Sequence, residues 1–348
     1  MRALVLRSFG DLDVEDRPDP VPGPDELVVA VTATGICGSD IHGFTGENGR
    51  RSPGQVMGHE TVGRVVALGP GVTGPNPGTA VAVNPVIGCR SCAACAAGQE
   101  QACPNGRVIG VAPELSAAFA ELMAVPSRNV VQLPPAMPEE HGALIEPLSV
   151  GYHAARRAGN LASTPVLVIG GGPIGQACAL AAARLGATTV AVSEIDPHRR
   201  QLLSRLGATP VDPAAGPLAR QVAGALGGPA AVVIDAVGSS RSLDDAMTSA
   251  APGASVVLVG MGMPIIDLPA YTVSTKERSL IGSYCYSPSE FRETAEWAGT
   301  VPGQLANLID GRTALDGAPA MFRSLAEDHG SASKVLVFPS GVPDSPMA

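Results

Sequence analysis

Positive charge is scarce in this chain of 348 residues. Lys276 and Lys334 are its only lysines, and 23 Lys and Arg stand against 32 Asp and Glu, a formal net charge of −9. Holding a polyanion requires a basic stripe that neutralises phosphates, and no stretch supplies one, which argues against a nucleic-acid partner. Nor is a secretory leader expected. "MRALVLRSFGDLDVEDRP" has no long apolar run and no small-residue cleavage site, because Arg7 and a cluster of acids interrupt it, and a cytoplasmic protein is expected. The one uncharged stretch near the length of a membrane span, Pro165 to Ala183, carries a glycine triplet and a proline in its middle and reads as strand, turn and helix, so no membrane partner is expected. Internal repeats and low-complexity tracts are absent.

What is present suffices for more than one core. The length exceeds that at which a single hydrophobic core stops growing, and 45% of the residues are apolar, so about two domains are expected. The first third is rich in Pro and Gly and holds short β-branched runs, "ELVVAVTATG", "TVGRVVALG", "TAVAVNPV" and "NVVQLP", which read as a β-rich domain. From about residue 165 apolar strands, "PVLVIG", "TTVAVSE", "AAVVIDAVG" and "ASVVLVG", alternate with helical segments. Such alternation predicts βαβ units in a parallel sheet, an α/β fold of the doubly wound Rossmann type. Between the two regions "PEEHGALIEPLSVGYHAARRAG" reads as one helix, with Pro138, Glu139 and Glu140 at its N-terminus.

Gly170-Gly171-Gly172-Pro173-Ile174-Gly175 fits G-x-G-x-x-G between the strand "VLVI" and the helix "GQACALAAARLGA". Glycines there allow a tight turn, close approach of the backbone to a pyrophosphate, and close packing of helix on strand. The next strand ends at Glu194, 19 positions beyond Gly175, where an acid would meet the adenosine ribose hydroxyls. A carboxylate there repels a 2′-phosphate and favours NAD, whereas Arg199 and Arg200 are the kind of residue an NADP site uses.

Cys89, Cys92, Cys95 and Cys103 are spaced C-x2-C-x2-C-x7-C. Four thiolates so close can converge tetrahedrally on zinc and leave no open position, which points to a structural role; a disulfide pair conflicts with a reducing compartment, and an iron–sulfur cluster needs related spacings. Cys37, in "TGICGSDIHGF", and His59, in "VMGHETVG", could with one acid supply the three ligands of an open catalytic zinc, although no spacing rule joins positions so far apart. Cys178, in the apolar helix after the glycine loop, reads as a small buried hydrophobe.

From "RALVL" through "GICGSD", "GHE", the four-cysteine stretch and "ALIEPLSVGYHA" to the glycine loop, the chain resembles the zinc-dependent medium-chain dehydrogenases, nearest to their polyol, butanediol and threonine dehydrogenase branch. The resemblance implies a GroES-like catalytic domain over 1–150 with a structural-zinc lobe at 86–106, an NAD-binding Rossmann domain over 151–286, and a return to the catalytic domain over 287–348. It implies two zinc ions per chain: a structural one on the four cysteines, and a catalytic one on Cys37 and His59 with Glu60 or Glu146 as further ligand. Asp40 matches an outer acid that holds His59 in its tautomer. Val237, Val259, Met261 and Ser283 match cofactor contacts, as does Lys334, at a position that reaches the pyrophosphate in relatives. A homodimer or homotetramer is the implied assembly.

The implied reaction is reversible NAD-linked oxidation of a secondary alcohol, with Ser39 taking the hydroxyl proton and His42 passing it to the surface. At "IGSYCYSPSEF" the chain has Cys285 before Tyr286 where sorbitol dehydrogenases have an arginine, which argues against sorbitol and leaves another polyol, a cyclitol, amino sugar, vicinal diol or natural-product intermediate open. The loop "FTGENGRRSPGQ", with Glu47, Arg50 and Arg51, would border the pocket and meet a polar substrate. The alternatives are a metal-free reductase or structural protein of the same fold, an NADP-dependent alcohol dehydrogenase, and a zinc-ribbon interaction protein, which would need neither Cys37 and His59 nor the glycine loop. His141, His153, His198 and His329 are assigned ordinary surface or helix roles.

Overall fold

Alternation of apolar and small or polar residues governs the first half of the chain, and β-branched runs that are apolar on both faces govern the second. The computed structural model describes residues 1–47, 49–327 and 333–343, so His329 lies outside the described residues. It divides into two units, Met1–Glu146 with Ser287–Ala348, and Pro147–Tyr286.

In the first unit β1 (Arg2–Ser8) and β2 (Asp11–Asp16) form a hairpin, and β3 (Glu26–Gly35), β4 (Glu60–Leu68), β5 (Ala80–Val83), β8 (Leu122–Pro126) and β9 (Val130–Gln132) belong to a larger sheet, with β6 (Val86–Ile87) and β7 (Arg107–Val108) paired separately. β3 alternates Leu27, Val29 and Val31 into a core shared with Val65, Val81, Val83, Met123 and Val125. Its last residue, Gly35, faces Glu60 at the start of β4. Helix α1 (Gly38–Thr45) leaves directly from that edge, and the short α2 (Ala93–Ala96) sits among the four clustered cysteines.

The stretch expected to be a single helix from Pro138 is two elements: a 3-10 segment, Glu139–Leu144, and α3 (Ile145–Arg157). The reason is Pro147, whose ring clashes with the carbonyl four residues earlier, so an α-helix cannot run through Ala143 and must begin with Pro147 in its first turn. Glu139 is paired with Arg64, and Glu140 with Arg312 at 2.6 Å, which fastens the 3-10 segment to the sheet. His141 and His153, assigned ordinary surface or helix roles from sequence, lie in the 3-10 segment and in α3, and both are buried.

In the second unit β10 (Pro165–Ile169), β11 (Thr189–Ser193), β12 (Thr209–Val211), β13 (Ala230–Asp235), β14 (Ala250–Leu258) and β15 (Ser279–Gly282) form a six-stranded parallel sheet in the order β12-β11-β10-β13-β14-β15. Alternate residues of β10 feed opposite cores: Val166 and Val168 join Val192, Ile234 and Val257 on one face, and Leu167 and Ile169 join Ala191, Val233 and Val256 on the other. Burial on both faces is why the strands read as unbroken apolar runs. The chain then returns to the first unit, where β16 (Gly311–Ala314) pairs with β17 (Val335–Phe338) and β17 lies antiparallel to the end of β3.

Candidate functional site

Three strands meet where the site forms. β3 ends at Gly35, two residues before Cys37; β4 begins at Glu60, one residue after His59; and β17 pairs Leu336 with Gly35, which brings Lys334 to the same corner. Glycine is required at 35, since a Cβ there would sit 2.0 Å from Glu60 Oε2 and 3.0 Å from Lys334 Cδ. The ligand atoms of Cys37, His59 and Glu60 all lie within 4.8 Å of one another, a trio of thiol, imidazole and carboxylate. That donor set is the one an open zinc site uses. Glu146, in the first turn of α3, is buried but stands outside that trio.

Asp40 supports the trio from below. Fully buried in α1, it accepts the Cys37 N–H on Oδ2 (3.2 Å) and places Oδ1 3.5 Å from His59 Nδ1. His59 Nδ1 is buried and has no aligned hydrogen bond among the described residues, so the ring is oriented by charge, with Nε2 as the other nitrogen for a metal. Burial opposes protonation of His59, yet the Asp40 carboxylate and the Cys37 sulfur outweigh it and hold its pKa well above the usual imidazole value. A buried imidazole backed by a carboxylate, with a thiol and a second carboxylate beside it, fits a divalent cation. The residues present therefore fit zinc.

Lys334, at a position that the resemblance links to the pyrophosphate, lies at the same corner. Its ammonium, 3% exposed, donates to both carboxylate oxygens of Glu60 (2.7 and 2.6 Å) and to the Ile36 carbonyl (3.2 Å). Desolvation works against the charge, but Glu60, Cys37 and Glu146 raise its pKa and keep it an ammonium. Arg51, expected to face a substrate, is instead buried against Asp40 (3.3 Å). Ser39 and His42 stand one turn apart on α1, and His42, half exposed, lies 3.4 Å from Glu47.

The four-cysteine lobe is a second, separate centre. The Sγ atoms of Cys89, Cys92, Cys95 and Cys103 lie within 4.8 Å of one another, and Cys92 and Cys103 are 3.8 Å apart. A disulfide requires about 2.05 Å, whereas two thiolates at about 2.3 Å on a tetrahedral zinc stand about 3.8 Å apart. Donors converge on the sulfurs: Cys89 N–H on Cys103, Cys95 N–H on Cys92, and the Ser91 hydroxyl on Cys89. The Ser91 contact is the largest cause that lowers the Cys89 thiol to about 6, while burial pushes Cys95 up to about 12. A closed set of four sulfurs fits a structural zinc.

In the second unit Gly170 through Gly172 turn into α4 (Pro173–Arg184), with Gly172 at its N-cap and Pro173 and Ile174 in its first turn. A Cβ on Gly175 would lie 1.8 Å from the Gly170 carbonyl, so only glycine lets helix and strand pack this closely. At Gly172 the nearest atom to a Cβ is the tip of Arg199, 3.8 Å away, and the room beside the helix N-terminus suits a pyrophosphate. Glu194 follows β11; its oxygens accept the Gly171 N–H (2.7 Å) and the Asp196 N–H (2.8 Å), and Arg199 stands 3.9 Å away. Arg200 is engaged with the Glu194 and Ile195 carbonyls and Asp212. Val237, Val259, Met261 and Ser283 follow the C-terminal ends of β13, β14 and β15, the side on which parallel sheets bind ligands. Val237 and Met261 are exposed, Val259 is buried, and the Ser283 hydroxyl is buried without a hydrogen-bond partner among the described residues.

Comparison with known proteins agrees with both centres. Residues 23–135 match the alcohol dehydrogenase GroES-like domain and residues 173–300 match the zinc-binding dehydrogenase domain. L-galactonate-5-dehydrogenase of Escherichia coli is 33% identical over 84% of this chain and 85% of its own length. Sorbitol dehydrogenase 1 of Saccharomyces cerevisiae is 32% identical over 97% of both chains. A solved zinc-binding dehydrogenase structure from Sinorhizobium meliloti 1021, bound to NADP, superposes with a TM-score of 0.88 at 32% identity, covering 97% of this chain and 99% of the other. The chain therefore belongs to the zinc-dependent medium-chain dehydrogenases and is an oxidoreductase that moves a hydride between an alcohol and a nicotinamide.

Proposed function

We propose that the chain is an NAD-linked dehydrogenase of a secondary alcohol in a hydroxyl-rich molecule: a polyol, vicinal diol, cyclitol or amino sugar. The observation that carries this reading is the trio of half-buried Cys37 with buried His59 and Glu60, backed by Asp40. Zinc, when bound, supplies a Lewis acid that lowers the pKa of an oxygen it holds, and NAD, when bound, takes up the hydride. The rest falls to this chain's own residues. Cys37, His59 and either Glu60 or Glu146 would hold the metal, and Lys334 would hold Glu60 in place if Glu146 served as the ligand. Ser39 Oγ would accept the hydroxyl proton as it gives up its own towards the ribose of the bound cofactor, and His42, half exposed in the last turn of the same helix, would take the relayed proton and release it to water, while the C–H bond breaks with its electron pair. Proton and hydride leave separately, and the ketone remains.

Gly170, Gly172, Pro173, Ile174 and Gly175 would cradle the pyrophosphate, and Val237, Val259, Met261 and Ser283 would line the rest of the cofactor. The carboxylate of Glu194, within 3.9 Å of Arg199, supports NAD over NADP. The hydroxyl-rich substrate class is supported by relatives named for galactonate and sorbitol. Among the described residues no helix is long and apolar enough to cross a membrane, which is compatible with the cytoplasmic location read from the sequence. A homo-oligomer is supported by β15, which among the described residues is an edge strand of its sheet, and by exposed Ile265, Leu268 and Tyr271 in the segment that precedes it. The test is a screen of NAD and NADP reduction across polyols, cyclitols, diols and simple secondary alcohols. Turnover with hydroxyl-rich alcohols and NAD supports the reading, and no turnover with any alcohol contradicts it.

A further inference from the structure

A buried guanidinium stands behind the metal centre and plays no part in the reaction as described. The Arg51 side chain is 1% exposed, a rare state for an arginine, and its Nη2 donates to Asp40 Oδ1 at 3.3 Å. Nη1 reaches the Arg50 carbonyl at 3.4 Å, and Nε is buried without a hydrogen-bond partner among the described residues. An arginine present only to brace a loop would satisfy more of its five donors. Room for it comes from Gly43 in α1, where a Cβ would lie 2.4 Å from Arg51 Cγ.

The carboxylate that Arg51 grips has two other duties. Oδ1, the atom shared with Arg51, faces His59 Nδ1 at 3.5 Å, and Oδ2 accepts the Cys37 N–H at 3.2 Å. One carboxylate thus touches the backbone of one zinc ligand and the ring of another. Left without Arg51, Asp40 would be a buried anion free to rotate about its side-chain torsions.

We propose that Arg51 is a positioning residue for the catalytic metal: by fixing the Asp40 carboxylate it orients Cys37 and His59, and so sets how tightly this site holds zinc. The inference rests on the reading of Cys37, His59 and Glu60 as a zinc site and adds to it the residue that tunes that site. Loss of an outer partner of a metal-bound histidine costs about 10–100-fold in metal affinity.

The test is zinc release to a chelator from the intact protein, followed as zinc per chain, for wild type, Arg51→Met, Arg51→Lys and Gly43→Ala. The four-cysteine zinc serves as an internal control. Arg51→Met should lose the catalytic zinc at about 10–100-fold lower chelator concentration while the four-cysteine zinc is released as in wild type. Arg51→Lys should recover part of the loss. Gly43→Ala keeps every charge and displaces only Arg51, and it should weaken the same zinc; it decides the matter if Arg51→Met does not fold. Cobalt in the catalytic site should show an altered ligand-field spectrum in both. Wild-type retention in folded Arg51→Met and Gly43→Ala, or parallel loss of both zinc ions, overturns the proposal. A wild type that binds zinc only at the four cysteines overturns the reading of the site itself, and the proposal with it.

Discussion

Replacing Lys334 with methionine keeps the length of the side chain and removes the charge on which Glu60 depends. Both groups are at most 3% exposed, and the ammonium serves both Glu60 oxygens and the Ile36 carbonyl, so the variant leaves a buried carboxylate and a buried carbonyl without their donor. Removing one member of a buried pair costs about 3–5 kcal/mol. In a unit of roughly 150–250 residues each kcal/mol moves Tm by about 2–4 °C, so the first unit of the metal-free protein should melt about 6–20 °C lower. The double variant Lys334→Met with Glu60→Leu should recover most of this, because an apolar pair of similar volume often replaces a buried ion pair at little cost. Calorimetry of the four proteins, stripped of metal, forms a double-mutant cycle, with an expected coupling well above about 1 kcal/mol. A Lys334→Met protein that melts within about 2 °C of wild type, or a double variant no better than the single, would refute the reasoning.

Asp235 gives a pH-dependent test in the second unit. Burial raises its pKa, and hydrogen bonds from the Gly238 and Val237 N–H groups and the Ser242 hydroxyl only partly offset this. The stability this contributes is fully present below the ordinary Asp pKa of about 3.9 and is lost as pH rises through the raised folded value, so the ionised carboxylate is a net cost at pH 7. Asp235→Asn, which keeps the acceptor for both N–H groups, should match or exceed wild type in urea unfolding at pH 7 and lose that advantage at pH 4; a loss above about 1 kcal/mol at pH 7 would show that the charged hydrogen bonds dominate. Gly175→Ala places a Cβ 1.8 Å from the Gly170 carbonyl and must part α4 from β10. An overpacking cost of about 1–3 kcal/mol is expected, together with a weaker NAD affinity by calorimetric titration, and unchanged affinity would contradict the assignment of this loop.

Features close together in the chain were legible in the sequence. The glycine loop with Glu194 and the four cysteines are local patterns whose geometry follows from spacing, and the apolar runs of β10 and β11 announced a doubly covered sheet. The catalytic centre was not legible from spacing, because Cys37, Glu60 and Lys334 are joined by the register of β3 against β4 and of β17 against β3. Family resemblance, not residue pattern, named its members. The burial of Lys334 and Arg51 was not legible for one shared reason: long cations are ordinarily solvated, and nothing local says that Glu60 or Asp40 will bury them. A signal existed for Lys334, which directly precedes the apolar "VLVF" strand. The break between the 3-10 segment and α3 was also readable, since Pro147 forbids a continuous helix through Ala143.

Zinc content measured beside activity tests the central claim most directly. The account predicts two zinc ions per wild-type chain, one in folded Cys37→Ser with loss of NAD-linked alcohol oxidation, and impaired folding of the lobe in Cys103→Ser. A Cys37→Ser protein that keeps two zinc ions and its turnover, or a wild type that oxidises alcohols with only the four-cysteine zinc, would contradict it.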